Sequence, residues 1–168
     1  FEKNNIHIDL HRTFTEENDS FEKLFNDAYD LGSFDKMMVT YEKNDAKIKV
    51  TDYYKFTLTA DITFDTKDGD ALSIVAYDTK DHYEDFSMKI DVKLYNSSFK
   101  EIELITLREY CEKYEDIGDF SQRDENAGKG AFYAECNIEA GDYYFSLTPL
   151  ENVFESHYLV WVAPYIGD

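Results

Sequence analysis

The chain has 168 residues, enough for one domain with a hydrophobic core, and 43% of them are hydrophobic, which excludes a disordered polymer. Lys plus Arg number 17 against 36 Asp plus Glu, a formal charge of −19 that repels phosphate backbones and anionic lipid surfaces, so neither nucleic-acid binding nor membrane contact is expected. No stretch approaches the ~20 apolar residues of a membrane-crossing helix. The first residue is Phe1 and no apolar signal core follows it, so the expectation is a mature product or an excised piece with any targeting segment outside it.

In chain order, Ile6, Ile8 and Leu10 alternate with His7, Asp9 and His11, the pattern of a half-buried strand. A polar segment over 15–20 follows. Phe21, Leu24, Phe25 and Ala28 then recur at helical spacing, with Asp19 placed to cap, Glu22 three residues on and Gly32 beyond the end; this predicts a short helix over about 20–30. Met38 to Glu42 is a short strand candidate. Tyr54, Phe56, Leu58, Ala60, Ile62 and Phe64 hold one face of an extended stretch, and Lys67-Asp68-Gly69-Asp70 signals a turn. Leu72 to Tyr77 is almost continuously apolar, as in a central strand buried on both faces. Phe86, Met88, Ile90, Val92 and Leu94 alternate with polar residues. Strands are also predicted over 101–107, 131–138, 142–148 and 157–163, with a long loop over 110–129. Many short strands and one short N-terminal helix predict a single domain, 1–168, that is all-β: an antiparallel jelly-roll or Ig-like β-sandwich.

The chemistry-bearing residues are sparse. There are four histidines, His7, His11, His82 and His157, and no nucleophile elbow, phosphate-cradling glycine loop or HExxH helix, so the chain is read as not an enzyme. His7, Asp9 and His11 share one strand face and have metal-ligand chemistry, but the same pattern describes a solvated edge. Cys111 and Cys136 are two cysteines without CxxC spacing. A disulfide between them would close a loop of roughly 25 residues, worth on the order of 3 kcal/mol in the chain-entropy model; two buried thiols are the alternative. Asn18 and Asn96 head Asn-x-Ser sequons and are candidate glycosylation sites. With the paired cysteines they point to the secretory lumen, the lysosome or phagosome, or the extracellular space.

Aromatic residues reach 17%, with 14 Tyr and 13 Phe. A doublet such as Tyr53-Tyr54 or Tyr143-Tyr144 puts one ring on each face of a sheet. An outward ring beside acids suits a protein or glycan partner, and Tyr53, Tyr143 and Trp161 are the candidate partner-binding residues. The acidic stretch with Glu112, Glu115, Asp116 and Asp119 is a further surface for a basic partner, or plain solvated surface.

Three stretches carry a resemblance: Glu16-Glu17-Asn18-Asp19-Ser20-Phe21, Asp52-Tyr53-Tyr54-Lys55-Phe56-Thr57-Leu58 and Ile138-Glu139-Ala140-Gly141-Asp142-Tyr143-Tyr144-Phe145. In this order they resemble the prepeptidase C-terminal (PPC) domain, over roughly residues 14 to 165. The resemblance implies a jelly-roll-like sandwich and a non-catalytic module. It also implies a calcium site, with Glu16, Asn18, Asp19 and Asp52 on the matching positions, oxygen donors of the kind calcium takes. The Asn-, Asp-, Lys- and Tyr-rich composition is similar to that of the amoebic cysteine protease-binding family, transmembrane receptors with PPC-like luminal domains. That likeness implies capture of soluble lysosomal hydrolases, cysteine proteases or glycosidases, for delivery to lysosomes or phagosomes. The alternative is a substrate-targeting or adhesion module of a secreted protease, binding collagen, glycan or a cell surface. A receptor that releases cargo in acid would lose affinity as carboxylates protonate, with His82 and His157 contributing near pH 6.

Overall fold

The computed structural model describes residues 22–77, 88–114, 128–151 and 157–166. Several expected features therefore lie outside the described residues: the strand with His7, Asp9 and His11, the cap at Asp19, Glu16 and Asn18, His82, Phe86, and the acids at 115, 116 and 119. Two five-stranded sheets pack face to face. After a helix, α1, described over residues 22–26 and ending there, the strands are β1 (Tyr29–Phe34), β2 (Val39–Lys43), β3 (Asp52–Leu58), β4 (Asp70–Tyr77), β5 (Ile90–Asn96), β6 (Glu101–Ile102) and β7 (Leu104–Thr106). The helix α2 (Leu107–Tyr114) precedes β8 (Ala131–Ala134), β9 (Gly141–Pro149) and β10 (Tyr158–Tyr165). The first sheet runs β1-β3-β9-β5-β6 and the second β2-β10-β4-β8-β7. The all-β sandwich expected from the alternation is thus what the chain forms.

Alternation explains the core. Tyr54, Phe56 and Leu58 of β3, Tyr143, Phe145 and Leu147 of β9, and Ile90, Val92 and Leu94 of β5 all point inward from the first sheet. They meet Leu72, Ile74 and Ala76 of β4 and Tyr158, Val160 and Val162 of β10. In β4 the intervening residues Ala71, Ser73 and Val75 are buried as well, because α2 covers the other face; the continuous apolar run marked this strand correctly as central. Ser73 is there for a local reason. The ladder of β10 with β4 shifts register between Ala163 and Tyr165, where Pro164 has no N–H to give, and the Ser73 hydroxyl donates to the carbonyl of Tyr165 at 2.8 Å.

Three expectations are corrected. The helix over 20–30 ends at residue 26, and Tyr29–Phe34 is an edge strand paired parallel to β3. The parallel pairing arises because β2 carries the chain to the opposite sheet before β3 returns it. Gly32 is not a helix cap but sits at a register irregularity in β1 with φ +95°, its N–H donating to the Asp30 carboxylate at 2.9 Å. The loop expected from 110 begins instead as α2. Its signals were present: Leu107, Tyr110, Cys111 and Tyr114 have helical spacing, and Thr106 and Glu109 form a reciprocal capping box. Finally, no disulfide joins Cys111 and Cys136. Cys111 is buried on the face of α2 that packs on the outer side of the second sheet, whereas Cys136 is an exposed thiol past the end of β8.

Candidate functional site

The most structured polar feature spans the two sheets at one end of the sandwich. Asp52 opens β3, and its inward neighbour two residues on is Tyr54. The register of β10 with β2 sets Tyr158 opposite Lys43. The Tyr158 hydroxyl donates to Asp52 Oδ2 at 2.6 Å, and the Tyr54 and Tyr158 hydroxyl oxygens lie 2.5 Å apart. Tyr158 has one proton and gives it to the carboxylate, so Tyr54 is the donor to Tyr158. Lys43 Nζ stands 3.4 Å from Asp52 Oδ1 and 3.0 Å from Asp45. The chain Tyr54, Tyr158, Asp52, Lys43 therefore pins one sheet to the other through two buried hydroxyls and a half-buried ion pair.

Burial, the largest influence, drives the hydroxyls of Tyr54 and Tyr158 far above the ordinary phenol range, so both are kept protonated as donors. Burial works against the Lys43 ammonium, but the Asp45 and Asp52 carboxylates outweigh it and hold its pKa above 10.5. Asp45 is pulled down in turn, chiefly by its hydrogen bond with Lys43. These groups are arranged to hold one protonation pattern, which is the behaviour of a structural network.

The network forms the floor of a cleft of about 240 Å³ between α1, β1, β2 and β3. Asp27, Tyr29, Tyr41, Asp52 and Tyr53 line it. Tyr29 is 49% exposed and its ring lies 3.9 Å from that of Tyr41. Leu24 is exposed on the rim, and the nearby loop presents Ile48, Val50 and Leu150, held together where Lys49 N–H donates to the Pro149 carbonyl at 2.7 Å. Nothing in the sequence set Tyr29, Tyr41 and Asp27 apart, because the first and last belong to the segment whose spacing read as helix.

The three residues expected to bind a partner are not brought together. Tyr143 is 7% exposed, stacks on Phe56 at 5.6 Å and donates its hydroxyl to the Glu139 carbonyl at 2.6 Å; it is a core residue, and the expectation of an outward ring is corrected. The outward member of that doublet is Tyr144. Tyr53 faces outward from the first sheet, half-buried beneath Phe25 and reaching the cleft. Trp161 lies on the outer face of the second sheet, half-buried with its ring 5.7 Å from Tyr77.

Of the calcium candidates, Asp52 alone is described. Its oxygens face the Tyr158 hydroxyl and the Lys43 ammonium, so a cation there would compete with Lys43. Among the described residues no group of three acids, histidines or cysteines has the geometry to hold a metal. Asn96, at the end of β5, uses its side-chain oxygen to accept from Ser98 and Lys100 N–H groups at 2.9 and 3.0 Å, which leaves its carboxamide nitrogen, the atom a glycan takes, outside those bonds. His157 Nε2 lies 2.6 Å from Glu42 Oε1.

No protein-family model matches the chain. No curated protein matches it either. A solved structure similar to it is the pre-peptidase C-terminal domain of a collagenase from Bacillus anthracis, at 11% identity and a TM-score of 0.36, over 82% of this chain and 93% of that one. So distant a likeness speaks to neither activity nor partner, and the sandwich assignment rests on the strand pairing of the chain itself.

Proposed function

We propose that the chain is a non-catalytic protein-binding domain whose receptor face is the tyrosine-lined cleft of β1, β2 and β3. The observation that carries this is the exposed Tyr29 ring packed at a tilt against Tyr41 beside the carboxylates of Asp27 and Asp52, with Leu24 exposed at the rim. Rings and carboxylates around a small cleft suit a lysine or arginine side chain of a partner, through cation–π and charge-assisted contacts. The charge of −19 steers a basic partner toward it. Asp52 is committed to Lys43 and Tyr158, which leaves Asp27 as the cleft carboxylate that meets a partner's cation.

In its finer form the domain belongs to a luminal receptor that captures soluble hydrolases, cysteine proteases or glycosidases, and delivers them to lysosomes or phagosomes. The sequence resemblance supports that form, and acid release is the behaviour such a receptor requires as its histidines, and at lower pH its carboxylates, take up protons. The test is capture from a lysate of the source cells at pH 7 and pH 5, with bound proteins identified by mass spectrometry, using the intact chain and Tyr29→Ser. The expected result is hydrolases held at pH 7, released at pH 5, and lost with Tyr29→Ser. Capture that ignores Tyr29 would remove the cleft from the reading. Binding to collagen or a glycan array in place of hydrolases would replace the receptor with an adhesion module.

A further inference from the structure

The outer face of the first sheet carries a second hollow, a groove of about 190 Å³ lined by Asp30, Lys55, Phe56, Thr57, Asp142 and Tyr144. It shares no residue with the cleft. Register builds it. Asp30 of β1 stands opposite Lys55 of β3, and Lys55 opposite Tyr144 of β9, so the three form one row across three strands. Thr57 and Asp142 face each other in the next row. With strands ~4.8 Å apart and ~3.3 Å per residue along each, the floor measures about 10 by 7 Å. Phe56 turns its ring into the core and meets the groove with its backbone. Alongside, β1 bulges: Leu31 and Gly32 together oppose Phe56 alone, and Gly32, with φ +95°, has open space where a side chain would stand.

The charged groups of the groove do not neutralise one another. Asp30 Oδ1 accepts from Gly32 N–H at 2.9 Å, and Asp142 Oδ1 accepts from the Thr57 hydroxyl at 2.6 Å, so each carboxylate is held in place with its second oxygen outside those bonds. Lys55, on the strand between them, has no ion-pair partner among the described residues, in a chain with 36 acids. The groove therefore presents an ammonium donor, two carboxylate acceptors and an aromatic ring that carries a hydroxyl. This set selects by charge. The −19 of the chain repels an anion, and the Lys55 ammonium opposes a cation. A neutral ligand with several hydroxyls suits it: O–H groups donate to the carboxylates, oxygens accept from Lys55, and a C–H face lies against the ring. The volume is below the ~300–1,000 Å³ of pockets that enclose drug-sized ligands, which fits one sugar ring.

We propose that this groove is a sugar-binding site that takes one neutral hexose-sized residue of a glycan. It is separate from the cleft and stands whether or not the cleft binds a protein. The test is titration by calorimetry and saturation-transfer NMR with the methyl glycosides of glucose, galactose, mannose and N-acetylglucosamine. Glucuronic acid and glucosamine serve as charged controls. The proteins are the intact chain, Lys55→Ala, Asp142→Asn and the cleft variant Tyr29→Ser. The expected result is binding of at least one neutral glycoside, weakened at least tenfold by Lys55→Ala and by Asp142→Asn and unchanged by Tyr29→Ser. Circular dichroism checks each fold, and either groove variant alone carries the comparison if the other does not fold. No binding of any neutral glycoside overturns the proposal. So does equal binding by the intact chain and the groove variants, or tighter binding of a charged sugar than of every neutral one. Loss of binding in Tyr29→Ser with the groove variants unaffected also overturns it, since the sugar then occupies the cleft.

Discussion

The outer face of the second sheet lies under α2, which sets Leu107, Tyr110 and Cys111 against Ala71, Val75, Ala131 and Tyr133, whereas among the described residues the outer face of the first sheet buries the ring of Phe25 against Tyr53, Tyr95 and Tyr144. The strands dictate the difference. Outward positions of β4 and β8 are apolar apart from Ser73, so leaving them wet would expose an apolar patch, and a whole helix face covers it. Outward positions of β3, β9 and β5 mix Lys55, Thr57, Asp142, Ser146, Asp91 and Lys93 with Tyr53, Tyr144 and Tyr95, so only the rings need cover. One sheet thus acquires a second core and the other a small aromatic cluster.

Substitutions test that contrast, and the largest effect belongs to α2. Tyr110→Ala removes a fully buried ring from the second core and is expected to lower the unfolding free energy by about 4 kcal/mol in urea titration. Phe25→Ala is expected to cost about 3 kcal/mol, at the low end for a buried ring because it lies on the outer face of its sheet. Equal losses for the two would show that Phe25 is as much a part of the core as α2. Between the sheets, Tyr158→Phe leaves the Tyr54 hydroxyl and Asp52 Oδ2 without their shared partner, an expected loss of about 1.5 kcal/mol by the same titration. A loss near zero would mean that the two sheets are pinned by packing alone.

The smallest effect concerns how α2 is fastened. Glu135, just past β8, accepts from Lys113 Nζ at 2.7 Å and from the Tyr114 hydroxyl at 2.5 Å. Partial burial pushes its carboxyl up, but those two donors together outweigh it and hold the pKa below the usual 4.5. A depressed carboxyl contributes stability that is present above 4.5 and lost as pH falls through the lower folded-state value. Melting temperatures from pH 7 to pH 3 should therefore fall less steeply at the acid end in Glu135→Gln than in the unaltered chain. Parallel curves would remove Glu135 from the attachment of α2.

Several elements were legible because their signals are local. The apolar run Leu72 to Tyr77 and the alternation through Tyr143 to Leu147 marked β4 and β9 before any contact was known. The segment 20–34 misled because Phe21, Leu24, Phe25 and Ala28 keep helical spacing up to the point where pairing with β3 takes over. α2 was legible and missed: its spacing and its Thr106–Glu109 box lay inside a segment dominated by charge. The cleft was not legible, since Tyr29, Tyr41 and Asp52 lie on three strands of two sheets.

By itself the sequence determined the sandwich class, the acidic surface and most strand positions, since periodicity, composition and turn residues act between near neighbours along the chain. Tertiary structure decided which ring of each tyrosine doublet faces the core, where the two cysteines lie, and what Asp52 holds. Those outcomes depend on register, and a slip of one residue would exchange every inward side chain of a strand for its outward neighbour.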